Sequence, residues 1–290
     1  MNEERHLQMP TEWEGIVPSE VFLKEAMKIV EEGEKQGLIL RVMGGVGIRL
    51  HSPESENLMK RLGRLGLGAQ EFTDLDFMAY RKQRDQMKLF FERIGYSKRR
   101  ATLSSAASER QIYFHPNGWF FVDVFFDKLR VANHPLDFRG RLELDKPTVS
   151  PTDLSLEKLQ IVNFSEKDLK DTLGLLNAHD VGDHDEKDVF NAKYIAALLS
   201  KDWGFWYTVT TNLNGIRDKV PTMNALIKDE KERTILKVEK LLDYIEKEPK
   251  TTGWKLRSVV GAKKRWYQPV ETTETVGEFH IWRLKEEAKQ

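Results

Sequence analysis

The chain has 290 residues, 40% of them hydrophobic, with seven Trp and fifteen Phe. That is enough apolar area for a sizeable core, which argues against a disordered chain and for one enlarged domain or two modest ones. Lys plus Arg and Asp plus Glu both total 46, so overall charge gives no reason to expect a nucleic-acid or membrane surface. The absence of cysteine excludes disulfides, thiol nucleophiles and thiolate metal sites, and fits a reducing compartment.

The amino-terminal stretch MNEERHLQMPTEWEG is charged and lacks the apolar core of a secretory signal, and no apolar run approaches membrane-spanning length. No membrane association and a cytoplasmic location are the simplest expectations. Ser19 is placed to cap a helix whose apolar positions Phe22, Leu23, Ala26, Ile29 and Val30 recur at helical spacing, predicting a helix from about Glu20 to Gln36 that Gly37 stops. Leu38 to Met43 reads as a strand broken by the pair Gly44 and Gly45. Val46 to Leu67 reads as a helix start, a surface insertion and a second short helix. FTDLDFMAY, Phe72 to Tyr80, is the next strand, and RDQMKLFFERIGY is a helix that Gly95 ends. Gln111 to His115 and Trp119 to Phe126, separated by PNG, form an antiparallel pair.

RLELDKPTVSPTDLSLEKLQIVNFSEKDLKDTLGLLNAH then holds a short strand, a proline-marked turn and two helices. Asp153 or Ser155 caps the first; Ser165 opens the second in a capping-box pattern with Asp168. From about Asp185 helical patterns dominate, and neither an internal repeat nor a low-complexity linker is present. A boundary near Asp183 divides residues 1–183, an α+β core, from residues 184–290, a mainly helical domain.

The chemistry-bearing feature is the acidic pair inside the second strand. Side chains alternate across a strand, so Asp74 and Asp76 share one face while Leu75 and Phe77 take the other. Two like charges on one face repel, and Asp suits strand interiors poorly. A divalent cation is an economical partner, and Mg²⁺ in particular takes one or two carboxylates together with substrate phosphates and water. Asp123 interrupts the apolar run WFFVDVFFD, where an unpaired charge is strongly disfavoured. If its strand lies beside that of Asp74, the three carboxylates converge on a metal pair suited to in-line phosphoryl chemistry, one of them deprotonating an acceptor hydroxyl. The alternatives are an acidic surface pair, and an Asp123 that pairs with an arginine.

This ordered set, Gly44 and Gly45, then Asp74 and Asp76, then Asp123, resembles the nucleotidyltransferase superfamily, in which a glycine-containing turn precedes an hDhDh acidic pair and a third acidic residue on a later strand. LSLEKLQIVNFSEKDLKDTLGLL, Leu154 to Leu176, looks like the leucine- and lysine-bearing helix and acidic helix of the abortive-infection AbiE-type toxin branch. The resemblance covers roughly Leu38 to Leu176. It implies an α+β fold, a nucleotidyltransferase-like mixed sheet flanked by helices, followed by a helical carboxy-terminal domain. It also implies an enzyme that transfers a nucleotide from NTP to a hydroxyl acceptor on RNA, protein or a small molecule, with Mg²⁺ at Asp74, Asp76 and Asp123. The Gly44 and Gly45 turn would hold the phosphates through backbone N–H groups. Lys158 matches a lysine that contacts the triphosphate in such toxins; its alternative is an exposed helix lysine. Asp168 and Asp171 match an acidic pair of that branch, though capping explains Asp168 equally well. An antitoxin protein is an implied partner, and a non-catalytic binding module of the same fold is the alternative. The sequence departs from the family pattern in the spacer at positions 46 to 73, 28 residues, in a second glycine where serine is common, and in Gln70 where a basic residue often stands.

Other stretches carry weaker signals. HDVGDHDEKD, His179 to Asp188, concentrates two histidines and five carboxylates; it reads as a solvated loop, with a metal site as the alternative. KKRWYQPVE and GWKLR interleave basic and aromatic residues and suit either a packed helix edge or an RNA contact. DWGFWYTV suits core or a partner surface. HExxH, P-loop and GxSxG motifs are absent from the sequence, and GGVG lacks the spacing of a dinucleotide fingerprint.

Overall fold

The computed structural model describes residues 9–66, 68–99 and 110–270. Residues 1–8 of the amino-terminal stretch, Leu67 and Glu271 lie outside the described residues. The chain divides into two compact units, one drawn from within Met1–Leu50, Leu65–Arg130 and Asp137–Val149, the other from within His51–Arg64, Val131–Leu136 and Ser150–Gln290. Asp183 lies in the second. Among the described residues no helix is long and apolar enough to cross a membrane.

In the first unit, helix α1 (Ser19–Glu34) turns through Gly37, at φ 72°, into strand β1 (Leu40–Met43). Ser19 does not cap α1. Pro18 stands at the N-cap, and the Ser19 hydroxyl donates instead to Glu71 Oε2 at 2.5 Å. Helix α2 (Gly44–His51) follows β1 directly, and the second-unit helix α3 (Glu56–Leu62) comes next in the chain. Strand β2 (Asp74–Ala79), helix α4 (Arg84–Arg93), β3 (Ser97–Lys98), β4 (Gln111–Phe114) and β5 (Phe121–Phe126) complete the elements that build the sheet and its packing. The five strands run in the order β1-β2-β5-β4-β3, with β2 and β5 parallel and the other neighbours antiparallel. This is a mixed sheet flanked by helices, and the PNG hairpin forms where the sequence signals it.

One face of the sheet carries Leu40, Val42, Leu75, Phe77, Val122, Val124 and Phe126, which pack with Phe22, Ala26 and Ile29 of α1 and Met87, Phe90 and Phe91 of α4. Each large apolar side chain buried here contributes about 1.5–3 kcal/mol. The period-2 alternation of the strands therefore turns the intervening carboxylates to the opposite face. The expected strand in RLELD does not form. Residues 141–147 turn instead, and a single bridge joins Val42 to Thr148. Arg41, buried on β1, holds this segment by donating from Nε to the carbonyls of Leu142 and Asp145 at 2.8 and 2.7 Å.

The second unit is mostly helical: α5 (Pro151–Leu159), α6 (Glu166–Ala178), α7 (Ala192–Leu199), α8 (Trp203–Lys219), α9 (Lys228–Lys247) and α10 (Thr252–Val260). Ser150 caps α5, accepting from Asp153 N, so the helix begins ahead of the expected caps Asp153 and Ser155. Proline at the first helical position is tolerated because its missing N–H would lack an intrahelical partner anyway. The Ser165–Asp168 capping box on α6 is complete. Trp254 and Trp266, from the two basic and aromatic stretches, pack with Trp203, Trp206 and Tyr207, and the Arg257 guanidinium lies 4.7 Å from the Trp203 ring centre.

Candidate active site

Strand alternation and register set the acidic residues. Asp74 and Asp76 lie on the sheet face opposite the core. The parallel pairing of β2 with β5 puts Asp76 beside Asp123 and Asp74 beside Phe121, while the antiparallel pairing with β1 puts Met43 beside Asp76. The end of β1, with the Gly44 turn after it, thus meets the acidic strands at one end of one sheet face. Asp74 is exposed and accepts from Thr73 Oγ1 at 3.1 Å; Asp76 and Asp123 are half-buried.

Gly44 is fixed by two separate constraints. Its φ of 67° lies in the left-handed region, and a Cβ at this position would stand 2.6 Å from Asp76 Oδ2. The turn therefore needs glycine both for its backbone and for the approach of the carboxylate. Gly44→Ala is expected to lower stability by about 1–2 kcal/mol from the backbone alone, read as a reduced urea midpoint. A variant as stable as wild type would contradict this close packing. Gly45 follows as the second residue of α2.

Asp123 has two unlike oxygens. Arg110 Nη1 donates to Oδ2 at 3.1 Å, whereas Oδ1 is buried and has no hydrogen-bond partner among the described residues. Burial pushes the carboxyl up to about 6; Arg110 opposes the rise, the Asp74 charge adds to it and Arg99 opposes it. Arg110 is the residue that the acidic pattern alone does not reveal. Its signal was nonetheless present in the hairpin: Ile112 faces Asp123, so Arg110, two residues earlier, shares the Asp123 face.

The remaining expected residues stand elsewhere. Gln70 accepts from Val17 N at 2.9 Å and donates to the Phe72 carbonyl at 2.5 Å; a lysine could not accept the first of these. Lys158 belongs to the second unit and is not the exposed lysine of the alternative reading. It is buried, with Nζ 3.2 Å from Asp171 Oδ2 and 3.7 Å from Asp168 Oδ1. Burial opposes its charge, but Asp171, Glu157 and Asp168 outweigh that and hold its pKa above the ordinary lysine value. Among the described residues, the set of three side chains whose ligand atoms close to within 4.8 Å of one another is His51, His179 and Asp188, not the acidic triad.

Comparison of the chain with protein-family models, with curated proteins and with solved structures found no match.

Proposed function

We propose that the first unit is a nucleotidyltransferase-like core that uses Asp74, Asp76 and Asp123 to transfer a nucleotide from NTP to a hydroxyl acceptor. The observation that carries this reading is the register of Asp76 against Asp123 on adjacent parallel strands, with Asp74 on the same face and the Gly44 turn against the Asp76 carboxylate. The donor set fits Mg²⁺: its groups are hard carboxylate oxygens, and one, Asp123 Oδ1, is buried without a hydrogen-bond partner among the described residues. Asp74 and Asp76 would hold the ion with Asp123, and the ion when bound would neutralise charge on the phosphates. Asp123 would complete the metal site and take the acceptor's proton. The backbone N–H groups at the start of α2 suit a phosphate. The sequence resemblance of Leu154 to Leu176 is the support for the AbiE-type branch, with RNA, a protein or a small molecule as acceptor and an antitoxin as partner; Lys158, buried against Asp171, is not counted in it.

A second reading has its own observation. The ion pair of Arg110 with Asp123, together with a triad that does not close to ligand spacing, favours a non-catalytic binding module on the same fold. Incubation with labelled NTPs, Mg²⁺ and total RNA or lysate separates the two. Label transferred by wild type and reduced at least about a hundredfold in Asp74→Ala supports the transferase. Label on no acceptor, or label equal in the two proteins, favours the binding module.

A further inference from the structure

The second unit joins His51, at the end of α2, to two residues far from it in sequence, His179 immediately after α6 and Asp188 ahead of the strand Val189–Asn191. Asp188 Oδ1 lies 3.6 Å from His51 Nδ1 and 3.7 Å from His179 Nδ1, and one ligand atom from each residue falls within 4.8 Å of the others. The two imidazoles are buried and meet edge to face, with ring centres 4.8 Å apart. These carboxylate distances are too long for hydrogen bonds. They are close to the spacing, about 3.3 Å, of two ligands held about 2.0–2.1 Å from one tetrahedral ion.

The surroundings favour the same arrangement. Ser52 Oγ lies 3.2 Å from His179 Nε2. The tautomer that donates from Nε2 to this hydroxyl leaves the lone pair of His179 on Nδ1, the atom that faces Asp188. The backbone at Asp188 has φ 64°, a left-handed conformation unusual outside glycine, and its carbonyl accepts from Asp180 N at 3.1 Å. The parallel pairing of Asp180–Gly182 with Val189–Asn191 holds the two ends of this turn together. Asp188 is exposed while both histidines are buried.

We propose that His51, His179 and Asp188 form a transition-metal site, with Zn²⁺ as the best-fitting ion. Two imidazoles and one carboxylate suit zinc, whereas Mg²⁺ and Ca²⁺ favour all-oxygen sets. Bound metal cross-links the end of α2, the end of α6 and the turn before residue 189. The site is independent of the nucleotidyl-transfer reading and uses none of its residues.

The test uses the full chain, stripped with chelator and titrated with ZnCl₂ by calorimetry, and with CoCl₂ by visible absorbance. One Zn²⁺ per chain, tetrahedral cobalt bands and a Tm raised by about 3–5 °C at saturating zinc are expected. Replacing a buried histidine can unfold the chain, so the deciding variant is Asp188→Asn, whose side chain is exposed and tolerates a left-handed backbone. Asp188→Asn is expected to bind zinc about a hundredfold more weakly. His184→Ala serves as the control, because exposed His184 contacts Asp183 and Glu186 and is the nearest source of adventitious binding. Binding weakened in Asp188→Asn and unchanged in His184→Ala supports the site. No zinc binding, or binding kept in Asp188→Asn, overturns it.

Discussion

Asp171→Ala is expected to lower stability by about 3–5 kcal/mol, among the largest losses available to a single substitution in this chain. Asp171 is fully buried. Arg64 engages it with two parallel contacts, Nε to Oδ1 at 2.8 Å and Nη2 to Oδ2 at 3.1 Å, and Lys158 Nζ stands 3.2 Å from Oδ2. Burial alone would raise its pKa, but Arg64 and Lys158 outweigh burial and hold it below the usual carboxylate range. Alanine leaves both cations in the interior with Glu157 and Asp168 as the remaining acids near Lys158, and Asp168 is already engaged by Ser165 N and Oγ at 3.2 and 2.6 Å. The sign of the pH dependence follows from the lowered pKa. The contribution of Asp171 is complete above the unfolded value, about 4, and is lost as pH falls through the folded one. The gap between wild type and variant in urea midpoint should therefore narrow in acid. A loss under about 1 kcal/mol at pH 7 would mean that the cations find water or other partners, and that the network is not a support of this unit.

The sheet was legible in the sequence wherever one face is buried. Alternation in FTDLDFMAY and WFFVDVFFD is imposed by a core on one side and polar surroundings on the other, so strand existence and facing follow from the residues themselves. The same rule brought Asp74, Asp76 and Asp123 to one face. It could not reveal that Arg110 stands beside Asp123, because that contact depends on counting register across the hairpin. Caps were less legible, since Ser19 and Ser150 both precede apolar runs and only tertiary contacts decide which hydroxyl turns inward: Ser19 goes to Glu71, and Ser150 stays with its own helix. Lys158 reads locally as a surface lysine because its charge suggests solvent. Its burial follows from Asp168 and Asp171 on the next helix, whose approach only the packing of the two helices sets. His51 was hidden for the same reason, as nothing in RLHSP signals the residues near 179 and 188.

Asp123→Asn is expected to stabilise the protein above pH 6 and to leave it unchanged below about pH 4. Burial pushes the folded carboxyl up to about 6, above the ordinary aspartate range, so the folded state binds its proton more tightly than the unfolded chain does. A raised acid of this kind supports folding fully below the unfolded pKa, and that support is lost as pH rises through the folded one. Asparagine imitates the protonated form and still accepts from Arg110, so it keeps that support at every pH. The rise from about 4 to about 6, at about 1.4 kcal/mol per tenfold change in proton affinity, sets an upper value of about 3 kcal/mol for the gain at pH 7.5. Urea midpoints of both proteins at pH 4 and pH 7.5 measure it. The outcome also bears on function, because a charge that the folded state holds at a cost is one that a bound cation can relieve. If Asp123→Asn is instead less stable than wild type at pH 7.5, attraction to Arg110 exceeds the desolvation of the carboxylate. Asp123 is then a settled ion pair, and the binding-module reading gains over the transferase.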